Sequence, residues 1–346
     1  MEMREHIATE LRPHAAEWEA AGTFPDSVFA GLAARGWLGL KYGPDADWVA
    51  DAVLCEEMAR CGSGGVAAGI GAHVTIATPP VARFGTEAQR ERWLEPAIRG
   101  ERIGALAITE PDTGSDVAAI RTRAVPVDGG WLVSGAKTFI TNGVRAAFYV
   151  TAVRTGGPGH GGLSFLVIER GEGVTARPLR KLGWQASDTA ELAFDEVFVP
   201  EEHLLGELDR GFYLIMANFQ WERLAMALGA VGAMRRAVER LAGELSGRAS
   251  QSARHRVAEL ATRAEAGAAM THHALRLFLA GRDAVREVTM AKLATQRASF
   301  EVQDAAWQLL GPDEELERAL RDARLGPIGG GTDEIMREIL GRTLGL

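Results

Sequence analysis

The sequence predicts an α+β protein of three units: an N-terminal α-helical domain over residues 1–103, a middle β-barrel or β-sandwich domain over 104–206, and a C-terminal four-helix bundle over 207–346. Three observations carry this expectation. A chain of 346 residues exceeds the size at which a single hydrophobic core stops growing. Apolar residues recur at helical spacing toward both ends of the chain. Between them, short runs of β-formers alternate with turn residues.

Each element has a local reason. Glu10–Glu19 and Val28–Leu38 place apolar residues three and four apart, and Trp48–Ala59 repeats the pattern after a Gly-Pro-Asp turn. Thr86 reads as the N-cap of a helix that leads into Arg90–Leu94. In the middle unit, Ala124–Val127 and Trp131–Ser134 flank Asp128-Gly129-Gly130, a hairpin signal. Phe148–Val153, Leu163–Ile168 and Glu191–Val199 continue the strands, and the lack of helices between them favours a barrel or sandwich over a parallel sheet. After Pro200 the helical period returns in Phe212–Leu245, Arg254–Leu279, Val285–Leu310 and Thr332–Leu340.

Composition narrows the function classes. With 38 basic and 46 acidic residues the net charge is −8, which argues against a phosphate-neutralising nucleic-acid surface. Two cysteines, Cys55 and Cys61, are too few for a disulfide scaffold or a cysteine-rich zinc module. The start, Met1-Glu2-Met3-Arg4-Glu5-His6, has no apolar stretch behind it, and the apolar run Leu224–Met234 is too short to span a bilayer. These features predict a cytoplasmic protein that binds neither nucleic acid nor membrane.

Several motifs match in letters and fail in context. Gly157–Gly162 satisfies G-x-G-x-x-G but carries a proline and opens no helix, so it reads as a loop between strands. Gly130–Thr138 resembles a phosphate loop with the wrong spacing to Lys137. The adjacent His272 and His273 would point about 100° apart on a helix and cannot share a metal. No metal site is expected.

Other segments fit together. Ile108-Thr109-Glu110-Pro111-Asp112-Thr113-Gly114-Ser115-Asp116 lies where the first helical unit meets the strands, followed by Gly135–Gly143, Lys181–Thr189, Phe194–Pro200, Arg321–Arg324 and Ile328–Ile335. Locally, Gly114 lets backbone N–H groups approach a pyrophosphate and Thr109 and Ser115 add hydroxyl donors, although a capped β-turn would use the same residues. In order and spacing, over nearly the whole chain, these segments resemble the acyl-CoA dehydrogenase family of flavoproteins.

The resemblance implies FAD. Leu106, Ile108 and Thr109 match positions along the isoalloxazine edge, and Gly114 and Ser115 match contacts further along the cofactor. Phe139 matches the aromatic that covers the flavin, and Thr141 the hydroxyl near its N5. Thr332 and Glu334 match cofactor-side positions of the last motif. Arg248 and Ser250 fall where family oligomers reach a neighbouring subunit's FAD, and Gln308 begins a second such clamp. Both clamps depart from the pattern: Arg248–Ser252 lacks the usual Phe and Gly, and Pro312 replaces a glycine.

The reaction implied is α,β-dehydrogenation of an acyl thioester, with a carboxylate taking the α-proton while the β-hydride leaves for the flavin. Many relatives carry that glutamate before the C-terminal Gly-Thr, but here the position is Gly330. A branch that includes isovaleryl-CoA and long-chain enzymes carries it on the first long C-terminal helix, where this chain has Glu222. Phe219, Ala225, Met226 and Gly229 surround Glu222 at helical spacings, so it sits on an apolar stripe. A structural ion pair of Glu222 with Arg223 is the competing reading, since unpaired buried carboxylates are expensive. Glu334 is the second candidate base. Arg223 matches a substrate-side position, and Gly330 would allow close backbone approach to thioester or flavin. The base position alone points to a branched or short acyl group, on CoA or on an acyl carrier protein. The resemblance further implies a homotetramer or homodimer and an electron-transferring flavoprotein as acceptor. A flavin monooxygenase on this fold and a non-catalytic partner subunit are the alternatives.

Overall fold

The computed structural model describes residues 2–346 and sets helices, then strands, then helices along the chain. The N-terminal unit is a cluster of short helices: α1 (Glu2–His6), α2 (Ala15–Ala21), α3 (Ser27–Ala33), α4 (Trp48–Met58), α5 (Gly64–Gly71), α6 (Thr78–Phe84), α7 (Glu87–Gln89) and α8 (Glu95–Ile98). The expected Glu10–Glu19 helix is divided: a π turn ends at Leu11, a 3₁₀ turn spans Arg12–His14, and α2 follows. Pro13 lies at that break, where its ring nitrogen has no N–H to donate. Thr86 caps α7 as expected, accepting from the Gln89 N–H at 3.3 Å while the Gln89 side chain accepts from the Thr86 N–H at 3.0 Å.

The helical run Gly64–Phe84 has no counterpart in the sequence reading, because its glycines and Pro79-Pro80 argue locally for a loop. Packing decides the matter. A β-carbon at Gly65 would lie 2.6 Å from the Ser187 nitrogen, and one at Gly69 would lie 2.7 Å from the Phe24 ring. By length and composition this run, and not Leu224–Met234, could cross a bilayer, with a mean hydropathy of 1.2. Yet 67 % of its most apolar window is buried inside the protein.

The middle unit is one eight-stranded sheet of β1 (Gly104–Ala107), β2 (Arg123–Val127), β3 (Gly130–Ile140), β4 (Phe148–Arg154), β5 (Leu163–Glu169), β6 (Val174–Pro178), β7 (Ala190–Pro200) and β8 (Leu204–Leu205). The order is β6-β7-β3-β2-β4-β5-β8, with β1 parallel to β4. A single pairing, Arg123 with Arg154, joins β2 to β4. The halves on either side of that link share one core, with Trp131, Val133 and Val199 from one and Tyr149, Val153 and Leu166 from the other. The opposite face of β4 and β5 is covered by helices, where Phe148, Val150 and Phe165 meet Trp93, Leu214 and Ile215. Two covered faces explain why β4 and β5 read as unbroken apolar runs while β7 alternates. β1 and β6 escaped the sequence reading: Gly-Ala-Leu-Ala has no β-branched residue, and β6 is a largely exposed edge ending in proline.

The C-terminal unit holds α9 (Gly211–Glu244), α10 (Gln251–Leu279), α11 (Val285–Leu310), α12 (Glu314–Ala323) and α13 (Asp333–Thr343). α9 through α12 enclose one core containing Val231, Met234, Leu260, Val302 and Leu316. α12 is the unpredicted member. Asp313 starts it by accepting from the Leu316 N–H at 3.0 Å. One carboxylate joins all three units: Asp322 accepts from the Gly64 N–H at 2.9 Å and the Trp184 N–H at 2.6 Å.

Candidate active site

A cavity of about 1360 Å³ lies where the three units meet. Its middle-domain wall begins with β1, which delivers Leu106 to the surface and runs into Ile108 and Thr109. Thr109 is fixed to β3 through its carbonyl, which accepts from the Thr138 N–H at 2.9 Å. Beneath it, Glu110 and Lys137 form a buried ion pair at 2.9 Å, and Lys137 also donates to the Ile108 carbonyl at 3.0 Å. The Glu110 carboxylate further accepts from the N–H groups of Arg121 and Thr122. Burial works against its ionisation, but the Lys137 cation and these donors outweigh it and hold Glu110 below the usual carboxylate range. Burial pulls the Lys137 ammonium down to about 8 in spite of its partner. Both motifs were legible in the sequence, but this bond between them was not.

Gly114, Ser115, Phe139 and Thr141 line the same wall. Phe139 sits within an irregularity of the β3–β7 ladder at φ +58°, a costly conformation for an aromatic residue, and its side chain is 68 % exposed. Leu182 and Ile328 on the cavity are similarly exposed, at 64 % and 65 %. A strained, uncovered aromatic beside the hydroxyls of Thr109, Ser115 and Thr141 has the chemistry to hold a flat heteroaromatic ring against apolar surface while satisfying its polar edge.

The opposite wall is α9, whose cavity stripe carries Glu222. Its Oε2 is buried without a hydrogen-bond partner, and burial pushes the carboxyl up to about 7, moderated by the charges of Arg223 and Lys292. The competing ion pair does not form. Arg223 instead donates through Nε to the Gly330 carbonyl at 3.3 Å and packs over Phe219. Lys292, unnoticed in the sequence and fully buried, donates to the Gly331 carbonyl at 2.6 Å.

Two cations therefore grip consecutive carbonyls of the Gly329–Gly331 loop. Gly330 and Gly331 lie at φ +62° and +94°, which glycine alone adopts without strain. A β-carbon at Gly330 would collide with the Met226 sulfur and sit 3.6 Å from Glu222 Oε1. A side chain at 330 would therefore displace Met226 and come into contact with the Glu222 carboxylate. Among the described residues the N–H groups of Gly330 and Gly331 have no acceptor, leaving two donors free beside the carboxylate. Replacing Lys292 with Met removes a cation that favours ionised Glu222. The pH at half-maximal kcat is then expected to rise by about one unit, read from the pH–rate profile.

Thr332 also lines the cavity, while its hydroxyl caps α13 by accepting from the Ile335 N–H at 3.3 Å. The remaining sequence candidates lie elsewhere. Glu334 faces outward toward Arg337 and is 77 % exposed in its side chain, a poor position for a base. Arg248 donates to the Glu244 carbonyl, Ser250 caps α10, and Gln308 donates to Asp304 at 2.8 Å, all away from the cavity of their own chain.

The comparisons agree with this architecture. Residues 1–101, 105–197 and 209–345 match the N-terminal, middle and C-terminal domain families of acyl-CoA dehydrogenase. The chain is 33 % identical to the mitochondrial long-chain specific acyl-CoA dehydrogenase of Mus musculus, covering 99 % of this chain and 84 % of that protein. A probable acyl-CoA dehydrogenase from Mycobacterium abscessus superposes with a TM-score of 0.95 at 40 % identity, covering 99 % and 96 % of the two chains. The FAD complex of PigA superposes with a TM-score of 0.94 at 25 % identity, covering 100 % and 96 %.

Proposed function

This chain belongs to the acyl-CoA dehydrogenase family, and on that premise we propose that it binds FAD and desaturates an acyl thioester between Cα and Cβ, with Glu222 as the base. The observation that carries the proposal is Glu222 itself, a carboxylate lifted to about 7 by burial, unpartnered at Oε2, and facing the cavity beside two free N–H donors.

Thr109, Gly114, Ser115, Phe139 and Thr141 would hold FAD, which when bound would supply the two-electron oxidant for the β-hydride. Every other task falls to the protein. Glu222 takes the α-proton on its carboxylate as the Cα–H bond breaks and the Cα–Cβ double bond forms. A base whose conjugate acid lies near neutrality is strong enough to assist a weakly acidic C–H and still ionised at working pH. The free N–H donors of Gly330 and Gly331 polarise the thioester carbonyl as enolate charge develops, and the Arg223 and Lys292 contacts keep that loop in place.

The carrier we propose is CoA or an acyl carrier protein, and the acceptor an electron-transferring flavoprotein. Arg248, Ser250 and Gln308 are free of their own cavity and suit a role toward the FAD of a neighbouring subunit in a dimer or tetramer. The test begins with the visible spectrum of the purified protein after FAD addition and removal of excess. Retained oxidised flavin that bleaches anaerobically with an acyl thioester supports the reading. A folded preparation that keeps no flavin overturns it in favour of a partner-dependent subunit, and oxygen uptake matching hydroxylated product would indicate a monooxygenase. Because Glu222 must be ionised, kcat should climb with pH to a plateau, with its half-point near 7.

A further inference from the structure

We infer that the cavity continues past Glu222 as a tunnel for a long, unbranched acyl chain, so that long-chain rather than short branched thioesters are the substrates of this site. The inference rests on the dehydrogenase reading above and names its substrate class.

The α9 residues on the cavity beyond Glu222 include Ala225, Gly229, Ala233 and Ala237, four apart along one face of the helix. Across the space, α5 presents Ala67, Ala68 and Gly71. Open volume separates the two walls. A β-carbon built at Gly71 meets nothing within 4 Å, and one at Gly229 meets only the Cys55 carbonyl oxygen, at 3.8 Å. Interiors are packed to crystal density, and small-residue faces ordinarily let two helices close on each other. Here α9 closes on α4 instead, and the volume beside α5 stays open.

One end of this passage is Glu222, with its buried and unpartnered Oε2. The other is a wall of charge, where Arg236 pairs with Glu315 and Arg240 pairs with Asp313 at 3.0 Å. That ion-paired wall gives the passage a fixed depth. The rise of α9 from Ala225 to Ala237 is about 18 Å at 1.5 Å per residue. An extended chain advances about 1.2 Å per bond, one third of an extended residue, so that depth holds on the order of a dozen carbons or more. A branched or short acyl group, the expectation from the position of the base, would leave most of the passage unfilled. Each methylene withdrawn from water adds roughly fourfold to binding, so the tunnel favours the chain that fills it.

The test uses the FAD-loaded enzyme with butyryl-, isovaleryl-, octanoyl-, lauroyl- and palmitoyl-CoA, together with matching S-alkyl-CoA thioethers that bind but cannot be oxidised. Thioether affinity from calorimetry is expected to rise from butyryl to lauroyl by about 10⁴-fold, with kcat/KM for the thioesters rising in the same order. Gly229→Leu on one wall and Gly71→Leu on the other should each lower the lauroyl-to-butyryl ratio by at least about tenfold. Ala237→Leu, deeper along α9, should lower the palmitoyl-to-lauroyl ratio instead. Preference for butyryl- or isovaleryl-CoA, or ratios that neither leucine variant moves, overturns the tunnel while leaving the dehydrogenase reading standing. Thioethers that bind in order of length, with no thioester of any length oxidised, support the tunnel and overturn the chemistry.

Discussion

Replacing Glu222 with Gln is expected to lower kcat by about 10³-fold, the range set by loss of a positioned base, while FAD and the S-alkyl-CoA thioethers continue to bind. The amide keeps the shape and removes the proton acceptor. In a stopped-flow experiment the variant's flavin should stay oxidised on mixing with a thioester that bleaches the parent. Bleaching at more than a tenth of the parental rate would mean that another group takes the proton.

The same substitution should stabilise the protein, with a definite pH dependence. The Glu222 pKa is raised from its ordinary 4.5 to about 7 in the folded chain. Between those values the folded state holds a proton that the unfolded state has lost, so this residue's contribution to stability declines as pH rises through that window. Glutamine carries no such cost. Glu222→Gln should therefore match the parent in urea midpoint near pH 4 and exceed it near pH 8, by on the order of 3 kcal/mol at 1.36 kcal/mol per pKa unit. A carboxylate kept desolvated is a source of instability, and equal midpoints at both pH values would show that Glu222 is better solvated than its surroundings imply.

The second large effect is expected at the Glu110–Lys137 pair. Glu110→Gln leaves the Lys137 ammonium buried without its counter-charge and weakens the hold on the Arg121 and Thr122 N–H groups. Removing one partner of a buried pair costs about 3–5 kcal/mol. Because the pair fixes Ile108 and Thr109 against β3, the variant should also retain less FAD after desalting. The double variant Glu110→Gln/Lys137→Met removes the stranded charge and should recover part of the lost stability, giving a coupling energy in a double-mutant cycle. A single variant within about 1 kcal/mol of the parent would assign the pair no structural weight.

Legibility in the sequence followed the reach of the forces involved. Four of the five C-terminal helices, α9, α10, α11 and α13, are legible in the sequence to within a few residues because their apolar period is local. α5 is not, because its glycines oppose a helix locally and serve close contacts with Phe24 and the Ala186–Ser187 backbone that are remote in sequence. The motifs marking the cradle were recognisable letter by letter. Lys292 and the Glu110–Lys137 bond carried no signal, since a lone lysine on an amphipathic helix or a strand reads as a solvated charge until the fold buries it.

Sequence alone determined the order of the three units, the family, and Glu222 as the candidate base once Gly330 left the other position without a carboxylate. Tertiary structure decided what Glu222 is. It turned Arg223 away to the Gly330 carbonyl, left Oε2 unpartnered, sent Glu334 to the surface, and opened the small-residue passage beyond. Residue types and spacing are written along the chain. Desolvation, the distance between charges and the volume left empty arise only when distant segments pack, and those quantities set the reactivity of a carboxylate and the length of chain that can reach it.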